Sequence, residues 1–141
     1  MAAITVTKAD VRPLPGAVIE KYPAAGALSL GDAVYLDSNG KVEKADADAA
    51  ASMLVHGIVV SAPRGGTDAV ADDMVDVCVA GRVTGFSGMT IGSLAFLSVT
   101  AGKVDHTAPA AASGDFRFIV GIAVSAVTLQ LLRYTNDFAA Q

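Results

Sequence analysis

The sequence predicts an all-β protein in which two similar β-units follow an extended N-terminal arm. The first observation is an internal repeat, because residues 28–36 and 40–44 return in similar form as residues 89–97 and 102–106. The second is the alternation of valine with other residues in Met74–Thr84, the period of a strand with one buried face. The third is that no segment shows a sustained helical period of apolar residues. These patterns predict two pseudo-repeated units that resemble a β-sandwich or a barrel.

The repeat also sets the predicted boundaries. Residues 55–62 (VHGIVVSA) correspond to residues 119–126 (IVGIAVSA), whereas the turns between matching strands differ in length. Apolar positions that keep register while turns vary are typical of strands held by a core. We predict an N-terminal arm at 1–27, a first β-unit at 28–84, a second β-unit at 85–134 and a C-terminal tail at 135–141.

The elements within the units follow from local patterns. An Asn-Gly pair at 39–40 lies between strand-like runs and predicts a hairpin. The composition of 63–68 (PRGGTD) predicts a loop, and the second unit has almost no counterpart of residues 63–74. The alanine-rich connectors carry no clear strand or helix signal. The predicted strands of the two units are 33–36, 41–44, 55–62, 74–84, 94–97, 103–106, 116–126 and 128–134.

The N-terminal arm, residues 1–27, differs from both units. Residues 4–7 alternate like a short strand, but the prolines that follow remove backbone donors and are poorly suited to a central strand. The arm has too many apolar residues for a solvated tail, so it either lies on another molecule or forms an edge strand and loop on its own domain. The residues predicted to contact a partner are Ile4, Val6, Val11, Arg12, Pro13, Leu14 and Pro15.

Composition limits the classes of partner. Apolar residues make up 52% of the chain, charged residues only 17%, and the mean hydropathy is +0.50. No apolar run reaches the roughly 20 residues of a membrane span, so the surplus apolar surface favours burial in an oligomer or assembly. The net charge of −4 argues against nucleic-acid binding, which usually needs a basic face.

Catalytic and metal-binding patterns are weak. Cys78 is the one cysteine, so an intrachain disulfide is impossible, and we expect it to be a small buried residue. His56 lies in a predicted buried strand and aligns with Val120, and together with His106 it lacks the local spacing of a zinc site. We therefore expect no enzyme activity, no cofactor and no metal.

A third hypothesis concerns the glycine-rich loop at 63–68. Glycines permit close approach of a phosphate and Arg64 could pair with it, so a nucleotide hydrolase that uses Arg64 and Asp68 is conceivable. The loop only vaguely resembles the Pro-Arg-Ser-Gly loop of trimeric dUTP-hydrolysing enzymes, and the other motifs of those enzymes are absent. A plain hairpin loop is the preferred interpretation.

The second unit carries the pattern that suggests a family. A glycine precedes a short strand (Gly92, then LAFL), a Gly-Lys-Val hairpin follows at 102–104, and a Val-Gly-Ile-Ala strand begins at Val120; the first unit matches with GDAVYL at 31–36 and GIV at 57–59. This pattern resembles a module of tailed-phage virion proteins, best matched by small capsid decoration (cement) proteins. The resemblance covers about residues 28–133.

The resemblance implies a structural, non-enzymatic protein. Decoration proteins of this kind form trimers on the major capsid protein at the outer surface of an icosahedral capsid, and they stabilise the shell. The expected location is the capsid surface of the virion after synthesis in the host cytoplasm, without nucleic-acid or membrane partners. The alternative is a receptor- or glycan-binding domain of a phage fibre or spike, which the absence of Trp makes less attractive.

Overall fold

The structure, a computed structural model, describes residues 4–48, 52, 54–109 and 116–132 of the chain. Over these residues the protein is almost entirely β-structure, with short 3-10 helices at Lys8–Asp10 and Pro63–Gly65, which confirms the predicted all-β class. The strands are β1 (Thr5–Val6), β2 (Arg12–Pro13), β3 (Val18–Pro23), β4 (Leu28–Ser29), β5 (Ala33–Leu36), β6 (Val42–Lys44), β7 (Val55–Ser61), β8 (Asp68–Ala69), β9 (Met74–Thr84), β10 (Phe86–Ser87), β11 (Leu94–Leu97), β12 (Val104–Asp105), β13 (Ile119–Ala123) and β14 (Thr128–Leu131).

Ten strands form one curled sheet with the shape of a half-barrel. The main path through this sheet runs β12-β11-β13-β14-β9-β7-β5-β6, and β2 and β3 pair with β9 beside that path. The pairings β1 with β10 and β4 with β8 are separate two-stranded sheets. Every strand pair is antiparallel, which fits the short hairpin connections predicted from the sequence.

The order of strands reproduces the internal repeat. From the centre outward, the first unit is β9-β7-β5-β6 and the second unit is β14-β13-β11-β12. The units join where Thr128 and Leu131 of β14 lie opposite Thr84 and Gly81 at the end of β9. The two predicted pseudo-repeated units are therefore two halves of one continuous sheet.

The repeat extends to an irregularity in strand pairing. The register between β5 and β7 shifts between Val34 and Tyr35, and the register between β11 and β13 shifts between Ala95 and Phe96, the matching residues of the repeat. A β-bulge at a fixed position is a specified feature of a sheet rather than a defect. The two units therefore share detailed backbone geometry as well as strand order.

Residues 4–23, here called the N-terminal segment, lie along their own chain. β2 and β3 run antiparallel to β9, from Arg12 opposite Thr84 to Pro23 opposite Met74. β1 pairs with β10 at the start of the second unit. Of the two interpretations of the arm, the structure adopts the edge strand and loop on its own domain. Its prolines are tolerated because such a strand needs backbone hydrogen bonds on only one side.

The core is a single cluster to which both units and the N-terminal segment contribute. Val34, Val77 and Leu129 are fully buried in it, and the small side chains suit the close spacing of the strands. On β9, Val75, Val77, Val79 and Val83 form the predicted better-buried face, but Cys78, predicted on the opposite face, is fully buried as well. The connector at 110–113 and the tail at 135–141 lie outside the described residues, as does most of the connector at 49–52.

Candidate functional site

The structure separates the seven predicted contact residues by burial. Ile4 and Val11 are only 9% and 5% exposed and belong to the chain's own core. Both must therefore be corrected from partner contacts to core residues, because contact with another molecule would remove them from that core. Val6, Pro13 and Leu14 are half-buried, and Arg12 and Pro15 are exposed.

An ion pair attaches the N-terminal segment to the first unit. Lys8 Nζ lies 2.8 Å from Asp68 Oδ1, and Ser29 Oγ donates to the same oxygen at 2.6 Å. These hydrogen bonds lower the pKa of Asp68 from 3.8 to about 2. The carboxylate of Asp68 is thus engaged in fixing the segment, which weakens the hypothesis that Asp68 and Arg64 act on a nucleotide.

A shallow depression of about 470 Å³ lies between the N-terminal segment and the second unit. The backbone brings its two sides together, because Thr7 N–H donates to Gly85 O at 2.9 Å and Phe86 N–H donates to Val127 O at 3.1 Å. We call this feature the Arg12 depression. Its lining side chains include Thr7, Asp10, Arg12, Thr84, Ser87 and Val127.

Two side chains of opposite charge line the Arg12 depression. Within the described residues, neither Asp10 nor Arg12 makes an ion pair or a side-chain hydrogen bond, and both side chains are exposed. Val127, 45% exposed, adds an apolar side chain beside them. The hydroxyl of Ser87 is already engaged with Thr5 at 2.5 Å. The depression can therefore offer a partner a carboxylate, a guanidinium group and an apolar side chain, held in place by the strand pairing around it.

The sequence predicts only part of this site. Arg12 is one of the predicted contact residues, whereas Asp10 and Val127 are not. Val127 comes from the second unit, and nothing in the local pattern indicates that it faces the N-terminal segment. The pairing of β1 with β10 brings the N-terminal segment next to the second unit. This pairing is a long-range contact that a single sequence does not reveal.

A second polar cluster joins β3 to β7. Tyr22 Oη lies 2.9 Å from His56 Nε2, which is 3.1 Å from Glu20 Oε1, and the tyrosine hydroxyl also donates to Glu20. The rings of Tyr22 and His56 meet edge to face with centroids 5.2 Å apart. His56 is thus a structural link between strands, which its place in an apolar strand did not predict.

The two histidines do not form a common site. His106 Nε2 lies 2.8 Å from Gly88 O in the second unit, whereas His56 faces Tyr22 and Glu20 in the first. Among the residues that the structure describes, no group of three or more His, Cys, Asp or Glu side chains could hold a metal ion. In the same part of the chain, no helix is long and apolar enough to cross a membrane.

Comparison with known proteins assigns no family. No protein-family model matches the chain, and no curated protein is significantly similar to it.

Proposed function

We propose that the protein is a structural virion component that binds the outer surface of an icosahedral phage capsid and stabilises it as a homotrimeric decoration protein. The observation that carries this proposal is the Arg12 depression, a charged and partly apolar surface on a duplicated β-scaffold, whose Asp10 and Arg12 side chains have no partner among the described residues. The sequence resemblance to decoration proteins supplies the class of partner, the major capsid protein. The exposed residues Arg12 and Pro15 keep their predicted contact role.

The charges of the depression suit recognition of a protein surface. Asp10 and Arg12 lie at the rim of the site in contact with solvent, where complementary charges raise the association rate and fix orientation more than they add affinity. Val127 provides apolar area that a partner can remove from water. A capsid subunit with a basic and an acidic group beside an apolar side chain would match this arrangement.

The exposed apolar residues support self-association. Val18 and Ile19 on β3, the strand that pairs with β9, are 51% and 38% exposed. Exposed apolar side chains are common where another chain packs. We therefore assign trimer contacts to β3 and capsid contacts to the Arg12 depression. Light scattering of the purified protein should give three times the chain mass.

Co-sedimentation with undecorated capsids tests the capsid contact. The charge-reversed double variant Asp10→Lys with Arg12→Glu should bind capsids at least about tenfold more weakly than the natural protein. Arg64→Glu is the matched control, because Arg64 is exposed on the first unit outside the depression. Equal binding by the natural protein and the double variant would remove the depression from the interface. Absence of binding by the natural protein would reject the capsid function itself.

A glycan-binding role is the second candidate. The hydroxyl groups of the Arg12 depression and its Asp10 and Arg12 side chains could hydrogen-bond to a sugar. However, the one aromatic residue in its lining, Phe86, is 2% exposed and offers no stacking platform. Binding on a glycan array that is lost in Arg12→Ala would favour this candidate over capsid decoration.

A further inference from the structure

The same glycine turn occurs once in each unit. Gly31 N–H donates to Val59 O at 2.8 Å, and Gly92 N–H donates to Ala123 O at 2.8 Å. Both glycines have a left-handed backbone, with φ of +92° and +85°. The two turns therefore have closely similar backbones. The residues that pack on one turn indicate what kind of segment could pack on the other.

The surroundings of the two turns differ sharply. A Cβ placed on Gly31 would lie 2.5 Å from Val6 Cγ1, because the N-terminal segment crosses directly over this turn. A Cβ placed on Gly92 would meet no atom within 4 Å. The preceding residues show the same contrast, since Leu30 is 8% exposed and Ile91 is 72% exposed. The first turn is covered by an extended segment of the chain, whereas no residue that the structure describes covers the second, which we call the bare turn.

We propose that the bare turn at Ile91 and Gly92 is a docking site for an extended, β-branched segment of another protein, bound as the first unit binds its own residues 4–6. Each chain has two such turns but one N-terminal segment. A second copy could offer its residues 4–6 to the bare turn only by uncovering its own Gly31 turn and withdrawing Ile4 from its core. We therefore assign the occupant to a different polypeptide, and its identification as the capsid protein rests on the proposed function.

The charges of the Arg12 depression define the partner segment further. Phe86 and Ser87 of this depression precede Ile91 by a few residues in the chain. Met89 N–H donates to Ala126 O, next to Val127, and Gly92 N–H donates to Ala123 O at the end of β13. Asp10 and Arg12, which pair with no side chain among the described residues, line that depression. In the first unit the covering segment is fixed by its own charge, through Lys8 and Asp68. The partner segment should likewise present an apolar residue to Ile91 and opposite charges to Asp10 and Arg12.

A synthetic peptide of residues 2–12 tests the docking mode without any capsid. Added to the ¹⁵N-labelled full-length protein, it should shift the amide resonances of residues 86–92, with the largest change at Gly92. Ile91→Asp should weaken this binding at least about tenfold, since the apolar contact is replaced by a charge. The matched control is Val70→Asp, because Val70 is also an exposed apolar residue, at 65%, but lies in the first unit. A peptide carrying Val6→Asp should cause no shift.

The outcomes separate this inference from the proposed function. No shift at residues 86–92, or equal binding by the Ile91→Asp protein, would overturn the docking site even if the natural protein sediments with capsids. Peptide binding at Gly92 by a protein that does not sediment with capsids would support the docking site and reject the capsid as its partner. If both hold, Ile91→Asp should also reduce capsid binding while Val70→Asp leaves it unchanged.

Discussion

Gly57 and Gly121 occupy the same position in the two units, and each lies directly against the backbone of the neighbouring strand. A Cβ on Gly57 would come within 2.3 Å of Cys78 O, and a Cβ on Gly121 within 2.2 Å of Gln130 O. Neither glycine has a left-handed backbone, so space rather than conformation requires glycine here. The duplication has thus kept the same close approach between β7 and β9 and between β13 and β14.

Alanine at either glycine should destabilise the fold. Since the obstructing atom is backbone in both cases, Gly57→Ala and Gly121→Ala should each lower the free energy of unfolding by about 1–3 kcal/mol, the usual cost of overpacking. Urea unfolding measures this change. Gly26→Ala is the control, because a Cβ there meets no atom within 4 Å. Equal stability of the Gly57→Ala and Gly26→Ala proteins would contradict the close approach of β7 to β9 at Gly57.

The sequence predicted the strands of the units well because their signals are local. β5, β9 and β11 have the predicted ends, since turn glycines and alternating valines mark them directly. The sequence does not determine the position of the N-terminal segment, because that position depends on the long-range contact between Val6 and Gly31. Similarly, the loop predicted at 63–68 ends at Asp68, the first residue of β8, whose pairing with β4 involves a strand distant in sequence.

The candidate site was less predictable than the fold. The apolar and proline content of the arm predicts Arg12 as a partner contact. The same content also predicts Ile4 and Val11 as partner contacts, and both are buried in the core of their own chain. Apolar content indicates that a residue will be covered and does not indicate whether its own chain or another molecule covers it. Only the strand pairings distinguish the two.

Asp32 should be important for stability because its carboxylate is 1% exposed. It accepts a hydrogen bond from Ser29 N–H at 2.9 Å and lies 3.4 Å from Lys103 Nζ of the second unit. Asp32→Ala leaves the part-buried Ser29 N–H without this acceptor, so the free energy of unfolding should fall by about 1–3 kcal/mol. Ser93→Ala, at the matching position of the second unit, should change it by no more than about 0.5 kcal/mol. Equal effects in urea unfolding would contradict the role assigned to the carboxylate.

The N-terminal segment should contribute to stability through its buried residues. Ile4→Ala removes core contacts and should cost about 2–5 kcal/mol, whereas Ile91→Ala, at a residue that is 72% exposed, should stay within about 0.5 kcal/mol. The melting temperatures of the two variants, measured by thermal unfolding, compare the same substitution at a buried and at an exposed isoleucine. An unchanged melting temperature for Ile4→Ala would show that the segment is not part of the core in solution.

Acidification should loosen the N-terminal segment through Asp68. Hydrogen bonds from Lys8 and Ser29 lower the pKa of this carboxyl from 3.8 to about 2. Because the folded pKa is the lower one, the stabilising contribution of Asp68 is complete above the unfolded pKa near 4. It is lost as the pH falls from there through the folded value of about 2. NMR titration of the Asp68 carboxyl should therefore give a low pKa that rises toward its ordinary value in Lys8→Met. Lys41→Met, which removes the ion pair with Asp72 instead, should leave it unchanged. A normal pKa in the natural protein would mean that Lys8 and Asp68 do not pair in solution.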